Sequence, residues 1–332
     1  MVSDTPDGLE VRLGDLARSV RYGDRAAIGQ AITLVESGRA EDSSAAQALL
    51  AALLPASGGA HRVGITGVPG VGKSTLIESL GTMLTERGHR VAVLAVDPTS
   101  TLTGGSILGD KTRMTSLAND PAAFVRPSPT SGELGGVTRV TRESVLVLEA
   151  AGFDVVLVET VGVGQSETAV ADMVDFFVVL MLAGAGDDLQ GIKKGILEIA
   201  DLIAVNKADG DNVERANIAA RDYELALHMT QPASSTWSPP VITCSGLAGD
   251  GLEDLWAHVL EHRRLTTASG ELAVRRAGQR VRWMHAMLSE RMRARLAADV
   301  RDLLPRLEAD VRADRVTPVA AVDQLIAAVD EA

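Results

Sequence analysis

Gly67-Val68-Pro69-Gly70-Val71-Gly72-Lys73-Ser74-Thr75 follows the apolar run Val63-Gly64-Ile65-Thr66. Its reading decides the fold. The pattern is G-x-x-x-x-G-K-[ST] between a predicted strand and a predicted helix, the context that gives it meaning. The glycines let the backbone turn its N–H groups inward around phosphate oxygens. Lys73 can reach the β- and γ-phosphates, and the Ser74 hydroxyl can sit on Mg²⁺. The stretch predicts a nucleoside-triphosphate site.

Outward from this loop, residues 60–265 alternate short β-branched runs with longer helical stretches, which predicts a parallel sheet covered on both faces. The candidate strands are Val63–Thr66, Val91–Val96, Phe124–Arg126, Val155–Glu159, Phe177–Leu182, Leu202–Asn206 and Val241–Cys244. Several are continuously apolar, as strands buried on both faces should be. The fold class is therefore α/β: a P-loop NTPase with a doubly wound, mostly parallel sheet and helical extensions at both ends. The expected divisions are 1–58, an N-terminal helical extension; 59–268, the nucleotide-binding domain; and 269–332, a C-terminal helical region. In the last, Val281, Met284, Leu288, Met292, Leu296, Val300, Leu303, Leu307 and Val311 recur every three or four residues, with a kink expected near Pro305. So long a stripe must pack on another helix, from this chain or a second copy, and a homodimer contact is the expectation. Arginines 275, 276, 280, 282, 291, 293 and 295 make the region basic. They form either a solvated helix face or a docking surface for an acidic partner.

Composition narrows the function. The chain has 332 residues, 46% hydrophobic but only 3% aromatic, so Ala, Val, Leu and Ile must fill the core. A net charge of -12 argues against a general nucleic-acid binder. The single cysteine, Cys244, excludes a disulfide framework and suits a reducing compartment. The first ten residues lack the order of a signal peptide, and no apolar run approaches the ~20 residues that cross a bilayer. The expectation is a cytoplasmic protein with no nucleic-acid or membrane partner.

After the strand Leu202–Val205 comes Asn206-Lys207-Ala208-Asp209, an N-K-x-D at the carboxyl end of a strand. The Asp209 carboxylate can accept from both guanine N1–H and the 2-amino group, donors that adenine lacks there. Asn206 can bond the base edge, and the Lys207 stem can lie along the ring. Backbone N–H groups at Ser245, Gly246 and Leu247 can hold the guanine oxygen. GTP and GDP are therefore expected over ATP.

Glu159-Thr160-Val161-Gly162 stands where GTPases carry D-x-x-G: Glu159 can hold Mg²⁺ through water and the Gly162 N–H can contact the γ-phosphate. Asp97, in Val-Asp-Pro-Thr-Ser, is a second carboxylate aimed at the phosphates. With Lys73, these are the candidate catalytic residues, and Ser74, Asp97 and Glu159 the candidate metal ligands. Lys111 and Arg113, in the polar loop Leu108–Met114, are candidate charge donors, and Gln165 a candidate water-positioner. Gly184–Gly195 carries four glycines among dense charges, as a segment passing into a helix would.

Together these stretches, with Arg126–Gly132 and Leu134–Gly136, resemble one family: the methylmalonyl-CoA mutase-associated GTPases, formerly labelled an arginine/ornithine transport-system kinase or ATPase. The resemblance spans about residues 10–330. Glu159–Gln165 and Gly184–Gly195 are far more specific to it than the P-loop. It implies a homodimeric, weakly active GTPase that binds the adenosylcobalamin-dependent mutase, gates delivery of its cofactor and protects it. It also implies that Leu108–Met114 and Glu159–Gln165 are switches, and that Gly184–Gly195, with Lys193 or Lys194, couples nucleotide state to the mutase. Two alternatives are an ATP-using kinase of a transport system, which Asp209 opposes, and a metal-delivery GTPase. The latter normally wants clustered His or Cys, and six scattered histidines offer no recognisable site.

Overall fold

A computed structural model describes residues 6–96, 114–127, 134–160, 166–184, 194–228 and 234–330. Two compact units are present, Met1–Ala277 and Gly278–Ala332.

All seven expected strands form: β1 His61–Gly67, β2 Val91–Val96, β3 Ala123–Pro127, β4 Val155–Thr160, β5 Phe176–Leu182, β6 Leu202–Asn206 and β7 Val241–Thr243. They make one sheet, ordered β3-β2-β4-β1-β5-β6-β7, in which each neighbouring pair is parallel. Every residue of β2, β4 and β6 is buried, which explains their unbroken apolar sequences.

The period-two alternation of a strand sorts these residues onto two faces. Val63, Ile65, Val155, Leu157, Val178 and Leu180 pack with Leu76, Ile77 and Leu80 of the helix α4, Lys73–Glu86, and with Leu255 and Val259 of the helix Leu252–Ala268. Val156, Val158, Phe177, Val179, Ile203 and Val205 face the other way. That second face is covered in part by the N-terminal helices α1 Pro6–Arg21, α2 Arg25–Glu36 and α3 Ala40–Leu53, whose Val20, Ile28, Ile32, Leu49 and Leu53 share its core. Asp24 caps α2, accepting from Ala27 N at 2.8 Å. Arg25 fastens this layer to the edge strand, donating to Ala123 O at 2.7 Å, and Arg126 pairs with Glu36.

At the amino ends of the strands, Arg62 pairs with the buried Glu149 at 2.7 Å. Asp175, just before β5, accepts from Arg62 N and from Arg276, while Asp201, just before β6, accepts from Phe177 N and from Arg275 at 3.0 Å. Arg276 also donates to Gly58 O and Ala60 O. The first residues of the helix Glu271–Asp299 are thereby clamped to the floor of the sheet, and the first compact unit runs through Ala277.

The second unit holds the rest of that helix, then Leu304–Arg312 and Pro318–Asp330. Pro305 does not kink a continuing helix as expected. It stands in the first turn of a new one, where the missing N–H has no intrahelical partner to lose. Val300 and Leu307 are buried, but Val281, Met284, Leu288, Met292 and Leu296 are all more than 40% exposed. Among the described residues the apolar stripe from Val281 to Leu296 stands exposed.

Candidate functional site

The loop between β1 and α4 takes its shape from its glycines. Gly67, Gly70 and Gly72 have φ of 150°, 80° and 98°, where a side chain is strained. A Cβ on Gly67 would lie 2.6 Å from Leu180 O, and one on Gly72 would lie 2.8 Å from Asn206 Nδ2. Val68, Pro69 and Val71 fill the turn, which closes through Val71 N–H on Val68 O at 3.2 Å. Lys73 is buried and folds back over the loop, donating to Gly67 O at 2.8 Å and Val68 O at 3.3 Å. Burial pushes its ammonium below the usual lysine range, and the carboxylates of Glu159 and Glu167 act against that shift. Thr75 continues α4 beside Ser74.

Glu159, the residue before the last of β4, has its side chain on the α4 face, and the Ser74 hydroxyl donates to its Oε1 at 2.9 Å. A hydroxyl and a carboxylate side by side are hard oxygen donors of the kind Mg²⁺ selects. Among the described residues no group of three His, Cys, Asp or Glu side chains can hold a metal alone. A metal at Ser74 and Glu159 would take its remaining ligands from water and phosphate oxygens, as Mg²⁺ does in phosphate sites. Asp97, Lys111, Arg113, Gly162, Gln165 and Lys193 lie outside the described residues, as do most of Leu108–Met114 and Gly184–Gly195.

The N-K-x-D segment closes the other end. Asn206 is buried, donates from Nδ2 to Val71 O at 2.8 Å, and accepts at Oδ1 from Gly246 N–H at 3.0 Å. Expected only at the base edge, it is also the tie between P-loop and base loop. Lys207, at φ 60°, lies over the P-loop with Nζ on Gly70 O at 2.8 Å. Asp209 Oδ1 accepts from the Ser245 hydroxyl at 2.8 Å, and that hydroxyl in turn accepts from Ala248 N–H. Ser245 thus aims the carboxylate by its side chain.

Of the three backbone N–H groups expected to hold a guanine oxygen, two have partners inside the fold. Ser245 N–H donates to Asp250 O at 2.9 Å and Gly246 N–H to Asn206, so both are engaged inside the fold. Leu247 N–H alone of the three has no partner among the described residues. Gly246 is packed so closely on α4 that a Cβ would lie 2.9 Å from Leu76 N, and Ser79 donates to its carbonyl at 2.6 Å.

Three further residues were not singled out from the sequence. Glu167 is buried, and its charge bears on Lys73. Thr66 and Thr160 join across the sheet beneath the loop, Oγ1 to Oγ1 at 2.7 Å. A polar residue ending an apolar strand was the signal for both threonines.

With this geometry in view, a family model described as "Methylmalonyl Co-A mutase-associated GTPase MeaB" matches residues 28–301. The chain belongs to that family. A probable GTPase of Mycobacterium tuberculosis is 58% identical over 97% of this chain and 95% of its own length. GTPase ArgK of Escherichia coli is 50% identical over 87% of this chain and 88% of its own. The mouse protein named methylmalonic aciduria type A homolog, mitochondrial, is 45% identical over 92% of this chain and 77% of its own. Among solved structures, one described as a LAO/AO transport system kinase superposes with a TM-score of 0.77 at 39% identity, covering 96% of this chain and 98% of that one. The family is one of P-loop GTPases, and this chain is a GTPase with a guanine-nucleotide site.

Proposed function

We propose that this GTPase is a chaperone of an adenosylcobalamin-dependent methylmalonyl-CoA mutase, gating cofactor loading and protecting the enzyme. The observation that carries the reading is the match over residues 28–301 to a family described by that mutase. The mouse relative's name, which refers to methylmalonic aciduria, supports it.

In this reading Lys73 leaves the carbonyls of Gly67 and Val68 for the β- and γ-phosphates. Ser74 and Glu159, with Asp97, hold Mg²⁺, which supplies charge neutralisation to the phosphates. Gly162 N–H meets the γ-phosphate. The Asp209 carboxylate, held by Ser245, selects guanine, and the second amide hydrogen of Asn206 is left for the base edge. The uncovered stripe from Val281 to Leu296 supports a homodimer, and the charge of -12 supports work without nucleic acid. The unpaired, buried Cys244 suits the cytoplasm, and among the described residues no helix is long and apolar enough to cross a membrane.

The test is affinity for the mutase with GDP and with a non-hydrolysable GTP analogue. A chaperone that switches must bind the mutase differently in the two states, and equal affinities would refute it. The likeness to a solved LAO/AO transport system kinase favours one second reading, an ATP-using transport kinase. Tighter binding of ATP than of GTP would support that reading over ours.

A further inference from the structure

The β1–β4 ladder ends at Ile65 opposite Glu159. One residue further on, β1 still pairs with β5 through Thr66 and Val179, and β4 still pairs with β2 through Thr160 and Val96. Between β1 and β4 the tie at this level runs through side chains. Thr160 Oγ1 donates to Thr66 Oγ1 at 2.7 Å, with Thr66 1% and Thr160 0% exposed. Among the described residues this bridge is the link between the two strands nearest the P-loop, one residue past Ile65 and Glu159.

Alternation puts both threonines on the sheet face opposite α4, with Val156 and Val158, while Glu159 faces Ser74. Neither hydroxyl can therefore touch a nucleotide in the loop. The surrounding strand is Val-Val-Leu-Val, and a valine pair would fill the same volume without burying two polar groups. What the hydroxyls add is direction: one preferred separation between the residue before Gly67 and the residue after Glu159.

We propose that the Thr66–Thr160 bridge is a positioning device that fixes the P-loop relative to Glu159 and so sets how tightly the nucleotide site holds Mg²⁺. The inference rests on the metal site proposed above. It calls for variants that delete the bridge without leaving a lone buried hydroxyl. Thr66→Val with Thr160→Val does so, since replacing both partners by apolar groups of equal shape leaves stability nearly unchanged.

The measurement is binding of a fluorescent GDP analogue in EDTA and across a Mg²⁺ series, beside thermal unfolding. The double valine variant is expected to unfold like the parent and to bind the analogue in EDTA within about twofold of it. It is expected to need about fivefold more Mg²⁺ for half-maximal tightening, the factor one neutral hydrogen bond provides. Thr160→Ser, which keeps the hydroxyl, is expected to retain the parent's Mg²⁺ requirement. A double variant with the parent's requirement overturns the proposal, and so does an equal loss of affinity in EDTA and in Mg²⁺, which marks packing alone. If the double variant does not fold, Thr160→Val and Thr160→Ser carry the comparison, and an equal Mg²⁺ requirement in those two overturns it. A parent whose GDP affinity ignores Mg²⁺ overturns the metal reading itself, a failure separate from that of the bridge.

Discussion

Asn206→Asp changes one atom group and almost no volume, at a side chain only 2% exposed. The retained oxygen still accepts from Gly246 N–H at 3.0 Å, but the new one faces Val71 O at 2.8 Å, acceptor against acceptor. The introduced carboxyl group resolves this by keeping its proton and donating it to Val71 O. Keeping a proton above the ordinary carboxyl pKa of about 3.9 costs about 1.4 kcal/mol per pH unit. The penalty relative to the parent is therefore about 4 kcal/mol at pH 7 and about 2 kcal/mol at pH 5.5, vanishing near pH 4. The sign follows from a folded-state pKa raised above the unfolded one: stability is intact below about pH 3.9 and is lost as pH rises, until the folded acid ionises. Urea unfolding of parent and variant between pH 5.5 and 8, without nucleotide, reads the difference and stays above the isoelectric point near 5.0. A penalty that does not change with pH, or none at pH 7, would refute the claim that Asn206 ties the P-loop from Nδ2.

Other outcomes follow from the same geometry. Asp209→Asn removes an acceptor for two guanine donors and is expected to weaken GDP binding by about a hundredfold or more, at roughly 1.5–3 kcal/mol per charged hydrogen bond, in a fluorescence titration; xanthine nucleotides should gain. Arg276→Ala leaves the Asp175 carboxylate buried without its partner and should cost about 3–5 kcal/mol in urea unfolding. Burial raises the Asp175 pKa, but the hydrogen bond and charge of Arg276, with Arg62, more than offset it and leave it below the usual range. Its contribution is therefore present above about pH 3.8 and lost as pH falls below that, which acid unfolding of parent and variant will show. The Cys244 thiol, buried and pushed up to about 12, should resist a thiol reagent at pH 8 in the folded protein and react fully in urea.

Much of this was legible in the sequence. The strands were readable because parallel strands covered on both faces must be continuously apolar, and Val91–Val96 and Val155–Val158 have no other reason to be so. The P-loop and Asn206–Asp209 were readable because few residue types satisfy phosphate and guanine at that spacing. Residue types do not say which atoms the fold consumes, however. Asn206 suits the base edge on paper, but one of its amide hydrogens and its oxygen serve the P-loop and Gly246. Ser245 and Gly246 lose their N–H groups to Asp250 and Asn206 for the same reason. Pro305 is compatible with both a kink and a helix start, and only the chain geometry at Leu303 selects between them. The apolar period from Val281 to Leu296 was visible, but periodicity alone cannot name what covers it.

The clamp beneath the sheet bears on how this GTPase can be shortened. A fragment cut at the glycine that precedes Glu271 would keep every nucleotide motif yet discard both guanidinium groups that neutralise Asp175 and Asp201. Two carboxylates would then stand at the amino ends of β5 and β6 without the guanidinium groups paired to them, at the foot of the strand that leads to the base site and of its neighbour. A minimal expression fragment must therefore carry the opening turns of a helix that meets the sheet at the end opposite the base site.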